Sequence, residues 1–211
     1  MACGPDVIFI GGWLAGSYDA LSQIAPVVYL ATDSDLGVVE SVRQNTRAIA
    51  SLFGLEDTAG ELMTGFDSRV AALASFSEGR TAIVWAWLPA AASMCWATTA
   101  AAPSSAGKRA LPTWGRTPAR PTPTHGNEAS FEFLVDKDPD YLFVLDRDAA
   151  IGTDGAKLAQ EVVENELMKG TAAYRDGRIV YLAHPAVWYT AEGGITALDR
   201  MLRDLEDPLL K

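Results

Sequence analysis

The chain has 211 residues, 49% of them apolar, and a formal charge of −10 at pH 7. That much apolar material builds one good core or two small ones, so one or two globular domains are expected and disorder throughout is excluded. The acidic balance argues against a nucleic-acid surface and leaves recognition of any anion to local groups.

In chain order, the apolar run at 6–10 reads as a strand that ends at Gly11-Gly12. No basic start and apolar stretch lies ahead of it, so no signal peptide is read. A strand so near Met1 leads to the expectation that preceding sequence has been lost. Ser17, Tyr18 and Asp19 open a helix that carries Leu21 and Ile24 toward the sheet, and Pro26 ends it. The next strand is 27–31. Asp33 or Ser34 is then placed to cap a longer helix with Val38, Val42, Ile49 and Leu52 on one face, closed by Gly54. A further helix, over 58–76, has Leu62, Phe66, Val70 and Leu73 in register. At about 1.5 Å per residue it reaches roughly 28 Å, long enough to connect two lobes. Strand 81–84 opens the second lobe.

From 85 to 124 the composition changes. Asp, Glu, Asn, Gln, Val, Ile, Phe and Tyr are all absent, while Ala, Pro, Thr, Ser, Arg and four of the six tryptophans crowd in. A Pro/Ala/Thr linker would lack core-forming residues in this way. So would a segment of a GC-rich gene translated out of frame, which better accounts for the tryptophans. Either origin keeps 88–123 out of the regular sheet. The uncharged run 81–107 holds two prolines and is mostly Ala, Ser and Thr, so no membrane span is expected there. Cys3 and Cys95 belong to no Cys-x-x-Cys or His/Cys cluster, which gives no zinc site.

Ordinary α/β patterning resumes at His125. Ser130 is placed to cap a short helix with Phe131, Leu134 and Val135 at helical spacing, stopped by Asp138-Pro139. The run 141–145 is continuously apolar, as a parallel strand covered on both faces should be. Asp146, Arg147 and Asp148 stand at its carboxyl end, where open α/β sheets hold ligands. Asp154 precedes a helix with Leu158, Val162, Val163 and Leu167; a turn at 175–178 leads to strand 179–183. The last helix carries Ile195, Leu198, Met201, Leu202 and Leu205 on one face. Alternating strands and helices give the α/β class.

Taken singly, the polar residues of these segments have ordinary roles open to them. His125, in Thr-His-Gly, suits a polar loop. Tyr189 suits a packing aromatic beside Trp188, and His184 reads as structural. Arg147 can pair with Asp146 or Asp148, or its planar guanidinium can donate to several oxygens of an anionic ligand. Gly11-Gly12 is not a Gly-x-Gly-x-x-Gly turn, and neither a nucleophile elbow nor paired catalytic carboxylates appear, which leaves a Rossmann-like α/β enzyme as a distant alternative.

Together, the phrases PDVIFIGG, SYDALSQIAPVVYL, THG with SFEFLVDKDPDYLFVLDRDAAIG, and IVYLAHPAVWYTAEGGITAL make the chain resemble the periplasmic siderophore-binding proteins. These are the substrate-binding components of iron-uptake ABC transporters, and the likeness is to the branch that binds ferric catecholates. It covers 5–84 and 124–208. The resemblance implies a two-lobed periplasmic-binding-protein fold, α/β with parallel-rich sheets joined by a long helix and with the first lobe incomplete. It divides the chain into a partial N-terminal lobe (1–57), an inter-lobe helix (58–77) and a C-terminal lobe (78–211) in which 85–124 is irregular, with the ligand in the cleft between lobes. His125, Arg147 and Tyr189 fall on ligand positions of the family. A ferric ion chelated by four oxygens accepts a phenolate and an imidazole, so His125 and Tyr189 are the implied metal donors. Trp13 stands where the family carries a ligand-facing arginine and would instead stack on a catechol ring. A second such arginine would fall within 85–124, where no matching segment is found. The resemblance further implies a ferric siderophore (Fe3+) as ligand and no cofactor, no catalysis, no nucleic acid, and a monomer. It implies delivery to an ABC transporter permease from the periplasm or from a lipid anchor at the cell surface. Haem or cobalamin on the same fold is the nearer alternative.

Overall fold

In this computed structural model the described residues are 3–33, 35–87, 94–99, 127–128, 131–152, 159–190 and 193–211. They fall into two compact units, 1–64 with 191–198, and 65–190 with 199–211.

The first unit is built on two parallel strands, β1 (Ile8–Ile10) and β2 (Val27–Tyr29), in the register Ile8 opposite Val27 and Ile10 opposite Tyr29. A 3-10 turn at Gly12–Ser17 and the short helix α1 (Tyr18–Ser22) connect them. The long helix α2 (Val38–Phe53) starts later than Asp33 or Ser34 would start it. Asp33 is occupied in a tight turn, where its carboxylate accepts from the Asp35 amide at 2.7 Å. Gly37, at φ 79°, then makes the left-handed step that lets the helix begin at Val38. Gly54, at φ 66°, closes the helix as expected, because a residue with a Cβ is disfavoured there. Residues 191–198 group with this unit rather than with the C-terminal lobe where the resemblance put them. Gly193 shows how closely they pack: a Cβ there would lie 3.1 Å from Asn45 Nδ2 and 3.2 Å from Thr32 Cγ2. The expected connecting helix is α3 (Glu56–Ser77), and the boundary between units falls within it.

The second unit holds a five-stranded sheet in the order β5-β4-β3-β6-β7. Its strands are β3 (Thr81–Trp87), β4 (Met94–Thr99), β5 (Asn127–Glu128), β6 (Tyr141–Asp146) and β7 (Ile179–Tyr181). β3, β6 and β7 are the three strands read from the sequence. They pair in parallel, with Ile83 opposite Leu142 and Leu142 opposite Ile179. The expectation that 85–124 is irregular is corrected at two places. β3 runs on through Trp85 to Trp87, and 94–99 form a strand antiparallel to it, with Thr81 opposite Thr99 and Trp85 opposite Cys95. The backbone ladder is indifferent to the missing acids, and Met-Cys-Trp-Ala-Thr-Thr contains Trp and Thr, which suit a pleated strand. The rest of 88–123 lies outside the described residues.

One face of this sheet packs into a core of Ile83, Trp85, Leu134, Leu142, Val144, Ala159, Val163, Met168 and Ala173. Trp85 is fully buried, its ring 5.1 Å from that of Phe131. The helices over this face are α4 (Phe131–Lys137), α6 (Ala159–Val163) and α7 (Ala172–Arg175). α4 stops at Asp138-Pro139 as expected. Asp138 takes a positive φ of 37° and its carboxylate accepts from the Ala172 amide at 2.6 Å, which ties α4 to α7. α6 is shorter than the helix expected to reach Leu167: Asn165 Oδ1 accepts from the Leu167 and Met168 amides, and this local alternative to helical bonding starts a 3-10 turn. At the other end of the strands Asp140 accepts from the Thr81 amide at 2.7 Å and from its hydroxyl at 2.9 Å, which fixes the start of β3 against the start of β6.

Candidate functional site

The carboxyl end of β6 turns directly into α5 (Arg147–Ile151). Asp146 makes that turn. One of its oxygens caps α5 by accepting from the Ala149 amide at 2.9 Å, and the other accepts from the Ala159 amide at 2.9 Å. Both oxygens are therefore committed to backbone, and Asp146 does not pair with Arg147. Asp148, largely buried, approaches Arg147 only at 3.9 Å. Arg147 instead donates through Nε to the Tyr189 hydroxyl at 3.0 Å, and its guanidinium lies 5.6 Å from the centroid of that ring. The hydrogen bond to Tyr189 raises the guanidinium above its already high ordinary pKa, so it stays charged.

Tyr189 belongs to α8 (Pro185–Thr190), which packs against α5. The side chain is exposed at 42%, although Trp188 next to it is buried, so the tyrosine is not the packing aromatic it would otherwise resemble. The start of α8 is held by Asp204 of the last helix, α9 (Ile195–Leu209). Its Oδ2 accepts from the His184 amide at 2.9 Å and from Trp188 Nε1 at 2.8 Å, and its Oδ1 meets His184 Nδ1 at 2.7 Å. His184 is thereby structural, as read from the sequence.

Of the four residues singled out in the sequence, Arg147 and Tyr189 meet. Trp13 stands in the 3-10 turn of the first unit, 89% exposed. His125 lies outside the described residues, as does Ser130. Among the described residues no group of three His, Cys, Asp or Glu side chains could hold a metal ion, and no helix is long and apolar enough to cross a membrane. Asp204 and the capping role of Asp146 were missed. At 100° per residue Asp204 sits at the edge of the stripe of Leu198, Met201, Leu202 and Leu205, and an acid bordering an apolar stripe is the signal that could have found it.

The chain belongs to the periplasmic binding protein family, whose model matches residues 1–186. Among its relatives is the petrobactin-binding protein YclQ of Bacillus subtilis, 30% identical over 98% of this chain and 64% of that protein. The ferric-anguibactin-binding protein FatB of Vibrio anguillarum is 24% identical over 97% of this chain and 63% of its own length. The chain thus spans slightly less than two thirds of these relatives. Among solved structures, the periplasmic catecholate-siderophore binding protein VctP of Vibrio cholerae superposes with a TM-score of 0.80 at 28% identity, over 97% of this chain and 72% of that one. The two-lobed α/β class is that of these neighbours. Family and relatives alike are binding proteins rather than enzymes.

Proposed function

We propose that the chain binds a ferric siderophore of catecholate type as the substrate-binding component of an ABC importer. On this reading the Tyr189 phenolate and the His125 imidazole complete the iron coordination left open by a four-oxygen chelator. Arg147 donates to the oxygens around the metal. The ferric siderophore is cargo, the permease of the importer is the receiving partner, and the protein works as a monomer outside the cytoplasmic membrane, in the periplasm or on a lipid anchor.

The observation that carries this reading is the Arg147 to Tyr189 hydrogen bond at 3.0 Å. The guanidinium donor fixes where the phenol oxygen stands, and the same fork of donors suits a catecholate oxygen. The names of the relatives, binders of petrobactin and ferric anguibactin, support the ligand class.

Titration with a ferric bis-catecholate is expected to give a phenolate-to-iron charge-transfer band that Tyr189→Phe abolishes. Arg147→Gln removes a charge-assisted contact of about 1.5–3 kcal/mol, so affinity falls by roughly one to two decades. Persistence of the band in Tyr189→Phe removes that residue from the mechanism. A spectral response to haem or cobalamin, with none to the ferric catecholate, replaces the ligand.

A further inference from the structure

We infer that Asp204 is a positioning residue for the ligand site, acting through α8 on Tyr189. The inference rests on the function proposed above for Tyr189, and its structural half can be tested without any ligand.

α8 is a six-residue helix, too short to hold its own place by helical propensity. Its position must come from contacts outside it. Three of these converge on one carboxylate: the His184 amide just ahead of the helix, the His184 ring, and the indole N–H of Trp188. Asp204 is itself only 6% exposed, so its carboxylate is shielded from water and committed to these donors. The three bonds fix both the start of the helix and its rotation about its axis, because the backbone amide and the Trp188 side chain are held by the same oxygen. Tyr189 follows Trp188 directly. With the indole pinned inward, the next side chain is turned about 100° away on the helix and out toward Arg147. Asp204 therefore sets where the phenol oxygen stands relative to the Arg147 Nε, with no contact to either.

The distribution of donors gives a test that separates positioning from bulk stability. Both N–H donors use Oδ2, and only the imidazole uses Oδ1. Asp204→Asn can place its amide oxygen at the Oδ2 position and offer its NH2 to His184 Nδ1, with the ring in the tautomer that accepts. It should keep α8 in place although the charge is gone. Asp204→Leu keeps the branched shape in a larger side chain and loses all three bonds. Trp188→Phe removes one donor and keeps an aromatic ring in the packing.

The whole chain, labelled with 3-fluorotyrosine, gives a 19F line for Tyr189 that is assigned by its loss in Tyr189→Phe. Asp204→Leu and Trp188→Phe are expected to move that line toward its position in Arg147→Gln, while the lines of Tyr141 and Tyr174 stay. Asp204→Asn is expected to leave it near the unmodified value. With a ferric bis-catecholate as probe, Asp204→Leu should weaken binding roughly 10–100-fold, as removal of a partner that orients a metal ligand does, and Asp204→Asn should restore most of it. A Tyr189 line that stays put in Asp204→Leu, in a protein whose other tyrosine lines show it folded, overturns the inference. So does one displaced equally in Asn and Leu variants. Absence of ferric catecholate binding by the unmodified chain counts against the proposed function alone, since the fluorine lines judge the positioning independently.

Discussion

Arg147 has acidic neighbours on both sides in the chain, yet neither takes it up in a close ion pair. Asp146 spends both oxygens on the Ala149 and Ala159 amides, and Asp148 comes no nearer than 3.9 Å. Under the proposed function, a guanidinium whose charge is not consumed by a close carboxylate would meet the anion at the sheet's end, held in orientation by its hydrogen bond to Tyr189. The same physics makes position 13 a test of the proposed ligand. A ferric catecholate complex is anionic and the chain carries −10, so attraction must come from individual cations. Trp13, 89% exposed, offers a ring but no charge. Trp13→Arg should cost little stability, because a side chain in solvent has few packing contacts to lose. If the new cation donates to the ligand, the contact is worth about 1.5–3 kcal/mol, and fluorescence titration should show binding tightened by roughly one to two decades. Unchanged affinity in a folded variant would mean that position 13 does not serve the ligand.

At the level of elements, the parts legible in the sequence are those whose burial leaves a periodic mark. β6 was readable because a parallel strand covered on both faces is apolar without interruption, β3 and β7 because each is a short run of apolar and β-branched residues, and Gly54 because left-handed helix ends favour glycine. β4 was not, since Met94–Thr99 joins the sheet through its backbone and its Trp96, Thr98 and Thr99 stand in a stretch otherwise made mostly of Ala, Ser and Pro. Nor was the pairing of Arg147 with Tyr189. Those residues are 42 apart in sequence and are brought together by the packing of α5 on α8, which no local pattern encodes. Trp85 shows how a composition shift can mislead: the first residue of the abnormal stretch is among the largest fully buried side chains of the second unit. It packs on Phe131 of α4 and shares the core with Leu142 and Val144 of β6. Trp85→Ala should therefore destabilise this unit by about 3–5 kcal/mol, the usual cost of emptying a large aromatic site. Denaturant unfolding would measure it, and a loss below about 1 kcal/mol would show that β3 beyond Val84 contributes little to the core.

For the whole molecule, stability against acid depends on how its carboxylates are held. Among the described residues three in the second unit are held below the ordinary range, and one of them, Asp207, is lowered by the hydrogen bond from Lys211 on the exposed surface. Asp140 is lowered by the backbone and side-chain hydrogen bonds from Thr81, which outweigh its burial. For Asp199 burial alone would act upward, but hydrogen bonds from Arg69 and Arg203 prevail and lower it. Asp199 and Glu206 lie seven residues apart on one face of α9, and both clasp Arg69 of α3 at 2.7 Å. A lowered native pKa means that the unfolded chain binds more protons within that window. The stabilisation is then complete above the unfolded value of about 3.9 and is lost as pH falls through the native value. The net charge acts the other way, since protonating exposed acids relieves repulsion across a chain at −10. That repulsion is spread over the surface and screened within about 8 Å at physiological salt, whereas hydrogen bonds at 2.7 Å are screened far less. The local pairs should therefore win. At about 0.15 M salt the urea midpoint is expected to stay level from about pH 7 to pH 5 and to fall below about pH 4. Asp140→Asn combined with Asp199→Asn should lower the midpoint at neutral pH and flatten the acid decline, because two of the groups that supply the proton linkage are gone. A midpoint that instead rises as the unmodified protein is acidified from about pH 5 to pH 3.5 would show that relief of the −10 charge outweighs the clasped carboxylates.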